Sequence, residues 1–461
     1  MQFTQIEFLL FLALVLTIAW QCRQRHSRNL VLLLASYYFY SYWDYRFCGL
    51  LLFSTAVDFV VAKKIQTTPA RRSKRCWLVV SLSSNLGVLG FFKYFNFFIE
   101  SAAPLVQSLG WNPGTLDIIL PVGISFYTFQ TLSYTIDVYR GKIDATDSLL
   151  DFALYVAFFP QLVAGPIVRA SELLPQLSGN VPHWSSRRFY GGFQMVLRGL
   201  VKKVLLADRL GEMVDVVFAG PELYDGWTVW LAVIGYAGQI YYDFSGYSDI
   251  AIGIAKMLGF RFPVNFRHPY LAGSVTEFWR RWHMTLSRWL RDYLYIPLGG
   301  SRHGSMRTAI NLIITMLLGG LWHGAAWTFV LWGLWHGVAL VVERWLRSLS
   351  GRASPFCLGH LSTLAVVGVG WVLFRCDSLQ DCWLVVQQLV FWSPGIGWYP
   401  PLAIAAVGCM VADHIAWSTR LRRVMRLRFD RWYAPVVTTI MIACLILYAP
   451  RGFAPFVYFQ F

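Results

Sequence analysis

Two histidines in an apolar stretch are the residues of this sequence best suited to acid–base chemistry. His323 and His336 each stand in a Trp-His-Gly triplet within MLLGGLWHGAAWTFVLWGLWHG, and no charged residue occurs between Arg307 and Glu343. An ionisable residue at membrane depth is costly and is a functional hypothesis by default. A catalytic His323 would be a general base that takes a proton from an attacking hydroxyl, because imidazole titrates near working pH.

Each of these histidines also has a structural interpretation. A buried imidazole with a satisfied hydrogen bond is common, and we favour that interpretation for His336. On one continuous helix His323 and His336 would point about 220° apart, so they are not expected to form one site as a pair. Gly319, Gly320 and Gly324 either break the helix near His323 or allow close packing of another helix.

A second polar segment precedes this stretch. Residues 260–300 read FRFPVNFRHPYLAGSVTEFWRRWHMTLSRWLRDYLYIPLGG, which is too charged to cross lipid while exposed to it. Ser274 followed by Glu277 fits a capping box, and this predicts a helix from about 275 to 295. Pro297 and the pair Gly299-Gly300 would end that helix.

The polar residues of the predicted helix are spaced at three and four. Arg280, His283, Ser287 and Arg291 are therefore expected to share one face. Such a helix lies at the membrane interface or lines a wet cavity inside the protein. His283 is as consistent with anchoring an interfacial helix as with catalysis.

Three further ionisable residues are candidates. His268 lies in the same polar segment, and Asp243 and Asp249 occur within an apolar run. The two aspartates either line a pore or pair with arginine.

Other known chemical motifs are missing from the sequence. It contains no GxSxG elbow, P-loop, GxGxxG entering a helix or HExxH. The eight cysteines form no CxxC pair and no metal-ligand spacing, so we predict neither a disulfide framework nor a metal site.

The composition indicates a membrane protein. The 461 residues are 56% hydrophobic and 14% charged, whereas soluble domains average about a quarter charged residues. The net charge of +16 is distributed in short basic clusters between apolar runs. This pattern favours contact with a lipid bilayer and argues against a nucleic-acid partner.

The predicted fold is all-α, a single polytopic membrane domain over residues 1–461 with a motif-bearing core at about 116–346. Some apolar stretches are too short or too polar to cross alone, so roughly eleven transmembrane helices are expected, with further re-entrant or interfacial helices. The candidate stretches are 5–21, 30–43, 47–62, 77–99, 116–138, 150–165, 190–218, 228–258, 306–322, 325–346, 358–376, 401–418 and 434–450.

The distribution of basic residues predicts the orientation. Loops 63–75, 344–352 and 419–432 are basic and should be cytoplasmic, whereas loop 100–115 has no Lys or Arg and should face outward. The first apolar run is followed, not preceded, by basic residues, which predicts an uncleaved helix with its N-terminus outside. One final span then places the C-terminus outside as well.

Five strings together resemble the membrane-bound O-acyltransferase family, and most of all its branch of alginate O-acetyltransferase membrane subunits. They are LPVGISFYTFQTLSYTIDVYRG (120–141), FFPQLVAGPIVR (158–169), YYDFSGYSDIAIGIAKMLGFRFPVNFRHPY (241–270), EFWRRWHMTLSRWLRDYLYIPLGG (277–300) and GGLWHGAAWTFVLWGLWHG (319–337). The apolar layout is similar over nearly the whole chain.

The resemblance implies a fold and a reaction. The fold would be a bundle of about a dozen helices with re-entrant segments around a central tunnel. The family's catalytic histidine, in GGLWHGA, falls on His323, and its second functional histidine, in WRRWH, falls on His283. The implied acyl donor is acetyl-CoA on the cytoplasmic side, and the implied partners are periplasmic acetyltransferase proteins and polysaccharide export machinery.

We therefore predict a bacterial inner-membrane enzyme that moves acetyl groups across the bilayer for O-acetylation of an exopolysaccharide, of alginate or acetylated-cellulose type. His323 would act as general base or acyl relay, and His283 would assist or orient. Candidate donor-binding residues, which alternatively meet lipid headgroups, are Arg280, Arg281, Arg288 and Arg291. The alternatives are D-alanyl transfer to teichoic acid by a related branch, or a non-enzymatic transporter or scaffold of a polysaccharide export complex.

Overall fold

The computed structural model describes residues 1–110, 114–350, 356–418, 432–449 and 456–457. Over these residues the chain is built of helices, and its β pairing is one isolated bridge between Tyr224 and Ile396. The all-α prediction is confirmed. The chain forms two compact units, and the prediction of a single membrane domain stays a prediction.

The first unit comprises Met1–Met195 and Ala251–Pro263. Its helices are α1 (Ile6–Gln21), α2 (Arg25–Asp44), α3 (Cys48–Thr67), α4 (Arg71–Leu89), α5 (Phe95–Ser108), α6 (Ile124–Tyr139), α7 (Leu149–Ala157), α8 (Phe159–Leu162), α9 (Ala170–Ser178) and most of α10 (Ser186–Val201). Tyr45–Phe47 forms a 3₁₀ turn and Gly90–Tyr94 a π turn.

A buried carboxylate joins three helices of the first unit. Asp58 on α3 accepts hydrogen bonds from Ser81 and from Asn85 on α4, the latter at 2.8 Å. It also accepts one from Thr135 on α6 at 2.9 Å. Asp58 is fully buried, and these donors replace the water that burial removes.

The second unit comprises Val196–Ile250 and Val264–Phe461. Its helices are α11 (Asp208–Ala219), most of α12 (Gly226–Met257), α13 (Val275–Arg281), α14 (Met284–Leu290), α15 (Gly304–His323), α16 (Trp327–Ser350), α17 (Phe356–Arg375), α18 (Leu379–Phe391), α19 (Pro401–Ser418) and α20 (Ala434–Leu447). Pro221–Leu223 and Pro269–Leu271 are 3₁₀ turns, and Lys202–Ala207 and Arg291–Tyr295 are π turns.

Helices α15 and α16 approach closely through glycines. A methyl group on Gly320 would overlap the carbonyl oxygen of Phe329 and lie 3.1 Å from the Cα of Gly333. A methyl group on Gly333 would in turn overlap the backbone of Met316. Small residues at a helix crossing allow such backbone contact in a membrane.

Several helices are long and apolar enough to cross a membrane. By length and composition, the described residues contain four such segments: Arg25–Thr67, Arg71–Ser108, Gly304–His323 and Trp327–Leu349. Shorter apolar helices are Ile6–Gln21, Gly359–Arg375, Pro401–Trp417 and Ala434–Leu447. The protein is a multi-pass membrane protein, while the count of eleven spans and the central tunnel stay predictions.

Several predicted boundaries are wrong. The predicted loop 63–75 is non-helical only at residues 68–70, and the predicted loop 344–352 is helical as far as Ser350. The predicted outward loop 100–115 is helical as far as Ser108, and the predicted span 116–138 is helical only from Ile124. Gly123, with φ of 78°, starts the latter helix late, because a left-handed residue cannot lie inside an α-helix. The predicted basic loop 419–432 and the end of loop 344–352 lie almost wholly outside the described residues.

Candidate active site

His323 is the last residue of α15. The chain leaves the helix at Gly324, whose extended backbone has φ of −157° and ψ of 152°, and α16 begins three residues later at Trp327. A methyl group on Gly324 would overlap the ring of Phe329. Both expectations for the nearby glycines are therefore met, since the helix ends here and the next helix packs closely.

Aromatic rings enclose the His323 imidazole. The ring centroids of Trp322, Trp332 and Phe374 lie 5.0, 5.1 and 5.1 Å from that of His323. Only 3% of His323 is exposed. The three neighbours come from α15, α16 and α17, so the imidazole is positioned by the packing of three helices.

The predicted helix from 275 to 295 is interrupted at His283, so that prediction is wrong. Helix α13 ends at Arg281, helix α14 begins at Met284, and His283 adopts a left-handed conformation with φ of 38°. The predicted common face of Arg280, His283, Ser287 and Arg291 is lost with the continuous helix. The predicted start is confirmed, because the Ser274 hydroxyl accepts the N–H of Glu277 at 3.1 Å.

Asn265 explains the interruption. Its backbone carbonyl accepts the N–H of Met284 at 2.9 Å, and its side-chain Oδ1 accepts the N–H of Thr285 at 3.2 Å. On the other side of the break, Arg267 donates its N–H to the carbonyl of Arg281 at 2.9 Å. The segment 265–267 thus satisfies backbone groups that helix ends leave without intrahelical partners. Sequence spacing could not show this, because the partner segment lies outside the predicted helix.

Asn265 also fixes the tautomer of His283. Its Oδ1 lies 3.1 Å from His283 Nδ1, and the same oxygen accepts both the N–H and the hydroxyl of Thr285. A backbone N–H can only donate, so this atom is an acceptor and His283 Nδ1 must carry the hydrogen. The Nε2 atom is then the imidazole nitrogen with a lone pair.

The charge of His283 follows from its burial. The residue is fully buried in the second unit, outside the helices that are long and apolar enough to span a membrane. Burial lowers the pKa of the His283 imidazolium to about 3, because charge is disfavoured away from water. His283 is therefore neutral near pH 7, and its Nε2 can act as a hydrogen-bond acceptor.

Trp322 contacts both candidate histidines. Its ring centroid lies 6.0 Å from that of His283 and 5.0 Å from that of His323. Phe244 of α12 also packs against His283, with 4.6 Å between the two ring centroids. The structure therefore brings the two sequence-predicted histidines to neighbouring positions around one indole.

The four candidate arginines have different surroundings. Arg281 pairs with Glu277 at 2.6 Å, and Arg291 pairs with Asp292 at 2.7 Å. Arg280 is exposed at the end of α13, and Arg288 is half-buried on α14. Arg280 and Arg291 are both exposed, and Arg291 differs in its ion pair with Asp292.

The other ionisable candidates have structural partners. Asp249 pairs with Arg198 at 2.8 Å, as one of the two sequence interpretations predicts. Asp243 pairs instead with Lys203 at 2.7 Å. His336 is buried on α16 with its ring centroid 5.0 Å from that of Trp332, but its Nδ1 has no hydrogen-bond partner among the described residues, so the satisfied hydrogen bond stays a prediction.

Comparison with known proteins places the chain in a family. The model of MBOAT, the membrane-bound O-acyltransferase family, matches residues 142–385. The probable alginate O-acetylase AlgI of Pseudomonas aeruginosa is 45% identical over 395 residues, which cover 84% of this chain and 75% of that protein.

Two further relatives differ in their named acceptor. The peptidoglycan O-acetyltransferase of Helicobacter pylori is 38% identical over 400 residues, covering 80% of this chain and 75% of that protein. The teichoic acid D-alanyltransferase of Streptococcus thermophilus is 28% identical over 248 residues, covering 51% of this chain and 59% of that protein. The extent of these matches shows that the chain belongs to the membrane-bound O-acyltransferase family and is an acyltransferase.

Proposed function

We propose that this protein transfers acetyl groups across the bacterial inner membrane for O-acetylation of an exopolysaccharide, with His323 as general base or acyl relay. Two relatives similar over most of the chain are named for O-acetylation, of alginate and of peptidoglycan. The relative named for D-alanyl transfer matches about half of the chain at lower identity. This difference supports acetyl over D-alanyl as the transferred group.

The placement of His323 carries the proposed mechanism. A hydroxyl oxygen of the acceptor attacks the carbonyl carbon of the acetyl thioester, while an imidazole nitrogen of His323 takes the hydroxyl proton. The new C–O bond forms, the C–S bond breaks, and the leaving thiolate takes up that proton as a thiol. In the relay variant the imidazole itself carries the acetyl group between donor and acceptor.

The aromatic enclosure supports this chemistry in one respect. Trp322, Trp332 and Phe374 leave His323 only 3% exposed, so little water reaches the imidazole. Exclusion of water prevents hydrolysis of an activated acyl group before transfer. Narrow access to the imidazole is what a transferase needs and a hydrolase does not.

His283 would orient the acceptor. Its Nδ1–H is held by Asn265, so the Nε2 lone pair can accept a hydrogen bond from a hydroxyl. The neutral His283 imidazole, fixed beside Trp322, would hold the acceptor hydroxyl by a hydrogen bond without taking its proton. In this proposal His283 assists and His323 removes the proton.

The donor, partners and orientation complete the proposal. Acetyl-CoA is the donor at the cytoplasmic side, and the exposed Arg280 is the first residue to test for contact with its phosphates. Periplasmic acetyltransferase proteins and polysaccharide export machinery would pass the acetyl group to the exopolysaccharide. Both chain termini would lie in the periplasm.

Inverted inner-membrane vesicles test this function directly. Acetyl-CoA labelled in the acetyl group is supplied to the outward-facing cytoplasmic side, and label that reaches the vesicle lumen or a lumenal acceptor is measured. We expect the label to be transferred by vesicles that contain the protein, with release of CoA thiol, and not by vesicles that lack it. Transfer from a D-alanyl donor with no use of acetyl-CoA would contradict the proposal.

A further inference from the structure

Two imidazoles and a carboxylate that the proposed transfer step does not use meet in the second unit. His268 precedes the 3₁₀ turn Pro269–Leu271, and Asp413 and His414 lie on α19. One ligand atom from each residue lies within 4.8 Å of the other two. Imidazole nitrogen and carboxylate oxygen are the ligands of many three-residue zinc sites.

His414 is prepared to bind a cation through one nitrogen. Its Nδ1 lies 2.9 Å from the carbonyl oxygen of Met410, which can only accept, so Nδ1 carries the hydrogen. The lone pair is therefore on Nε2, which is buried and has no hydrogen-bond partner among the described residues. His414 is only 5% exposed. Metal-binding histidines typically donate their other N–H to a carbonyl or carboxylate in this way.

His268 and Asp413 approach each other as two ligands of one ion would. His268 Nδ1 lies 3.2 Å from an oxygen of Asp413, yet this buried nitrogen has no partner in hydrogen-bond geometry among the described residues. Adjacent ligand atoms of a tetrahedral zinc ion are about 3.3 Å apart. Since all three ligand atoms lie within 4.8 Å of one another, the third would move by up to about 1.5 Å to complete that spacing, a shift within reach of side-chain rotation.

The surroundings fix His268 and leave a route of entry. His268 has a left-handed backbone with φ of 46°, and its ring stacks on Trp417 at 4.2 Å. The side chain of Asp413 remains 43% exposed. Lys202 and Arg198 both interact with Asp413, and both pair with Asp249 at 2.8 Å.

We propose that His268, Asp413 and His414 bind a zinc ion, with water or a fourth ligand in the remaining position. The ion would tie α19 to the segment 264–274, which contains Asn265 and therefore holds His283 in place. It is a positioning site, separate from the proposed transfer step. Its ligands come from two distant segments, so the sequence alone gave no metal-ligand spacing.

Metal content of the purified full-length protein tests the site. The protein is isolated in detergent through a tag without histidine, incubated with zinc, freed of excess metal and analysed by mass spectrometry for zinc per chain. We expect about one zinc per chain in the wild type and a loss of about tenfold or more in His414→Ala and Asp413→Asn. His360→Ala is the control, since His360 is a half-buried imidazole whose Nδ1 also lies beside a backbone carbonyl, that of Ala272.

Thermal stability gives a second measurement on the same samples. Zinc should raise the melting temperature of the wild type and of His360→Ala. It should not change the melting temperature of Asp413→Asn. Asp413→Asn keeps the shape of the side chain, so it tests the site if His414→Ala does not fold. Absence of zinc from the wild type, or equal zinc in wild type and Asp413→Asn, would overturn the proposal and leave an ordinary His268–Asp413 ion pair.

Discussion

At the scale of single residues, Asn265 connects backbone geometry to chemistry. One side-chain oxygen of Asn265 accepts the N–H of Thr285 and the Nδ1–H of His283. The same oxygen therefore caps the start of α14 and selects the His283 tautomer with hydrogen on Nδ1. Its Nδ2 donates to the Ser248 hydroxyl at 3.2 Å, which fixes the orientation of the amide. Asn265 is therefore a positioning residue for His283.

Asn265→Ala should reduce acetyl transfer by about 100-fold, because a misplaced catalytic group loses its productive geometry. Asn265→Asp keeps the oxygen acceptor and should retain more activity than the alanine variant. Its carboxylate would raise the pKa of His283, so its activity should fall at a higher pH than that of the wild type as the solution is acidified. Initial rates in vesicles across pH measure both effects.

Ser248→Ala is the matched control, since it removes only the bond to the Asn265 amide nitrogen. It should lower the rate less than Asn265→Ala. Equal rates and identical pH profiles in wild type, Asn265→Ala and Asn265→Asp would show that Asn265 does not position His283.

At the scale of helices, the break between α13 and α14 separates what the sequence could predict from what it could not. The Ser274 cap is local and was predictable, because the capping hydroxyl and the N–H of Glu277 that donates to it are three residues apart. The break at His283 depends on Asn265 and Arg267, which satisfy the helix ends from a separate segment. The spacing of residues along one segment indicates whether that segment tends to form a helix. It does not show which residues of another segment will hydrogen-bond to the helix ends.

The helix break after His323 was easier to anticipate, because glycines accompany it in the sequence. Gly320 and Gly324 both lie where a side chain would overlap α16. The aromatic enclosure was not predictable in detail, since Phe374 reaches His323 from α17, well beyond the Trp-His-Gly motif.

Gly320→Ala tests the close crossing of α15 and α16. The added methyl would overlap the carbonyl of Phe329 and should destabilise the protein by about 1–3 kcal/mol. Gly368→Ala on α17 is the control, since nothing lies within 4 Å of a methyl group there. Melting temperatures of the two variants in detergent should differ, with only Gly320→Ala lowered; equal values would contradict the close crossing.

The buried ion pair of Lys203 and Asp243 should contribute more to stability than an exposed one. Asp243→Asn removes the charge of one of the carboxylates that pair with the buried Lys203 ammonium, leaves the pair with Asp208 at 2.8 Å, and should cost about 3 kcal/mol. Asp215→Asn, which breaks an exposed pair with Arg375, should cost about 1 kcal/mol or less. Thermal unfolding of both variants measures the difference, and equal losses would mean that burial of the Asp243 pair has no special effect.

At the scale of the whole molecule, composition and charge distribution were informative because the bilayer constrains them strongly. Apolar runs predicted membrane helices, and the four long apolar segments agree with the multi-pass assignment. The number of spans is less predictable, because short apolar helices and interrupted segments such as α13 and α14 are not distinguished by hydropathy. Orientation rests on basic clusters such as the one that begins α4.

Accessible cysteines test that orientation. In a variant without native cysteines, Ser108→Cys at the end of α5 should react with a membrane-impermeant maleimide in intact spheroplasts. Ser73→Cys, in the basic first turn of α4, should react only after lysis, because short basic segments remain cytoplasmic. Both positions are exposed. Labelling of both from the same side would contradict the crossing of Arg71–Ser108.

We expect His323, and not His336 of the second Trp-His-Gly triplet, to be the histidine that takes part in acetyl transfer. The measurement is the acetyl content of exopolysaccharide from a deletion strain that expresses wild type, His323→Gln or His336→Gln, with membrane levels matched by blot. Both histidines are buried, at 3% and 1% exposure, so the two variants make comparable demands on folding. We expect His323→Gln to lower acetylation by about 100-fold or more and His336→Gln to retain most of it. Normal acetylation by His323→Gln, or an equal loss in both variants at equal protein level, would contradict the assignment of His323.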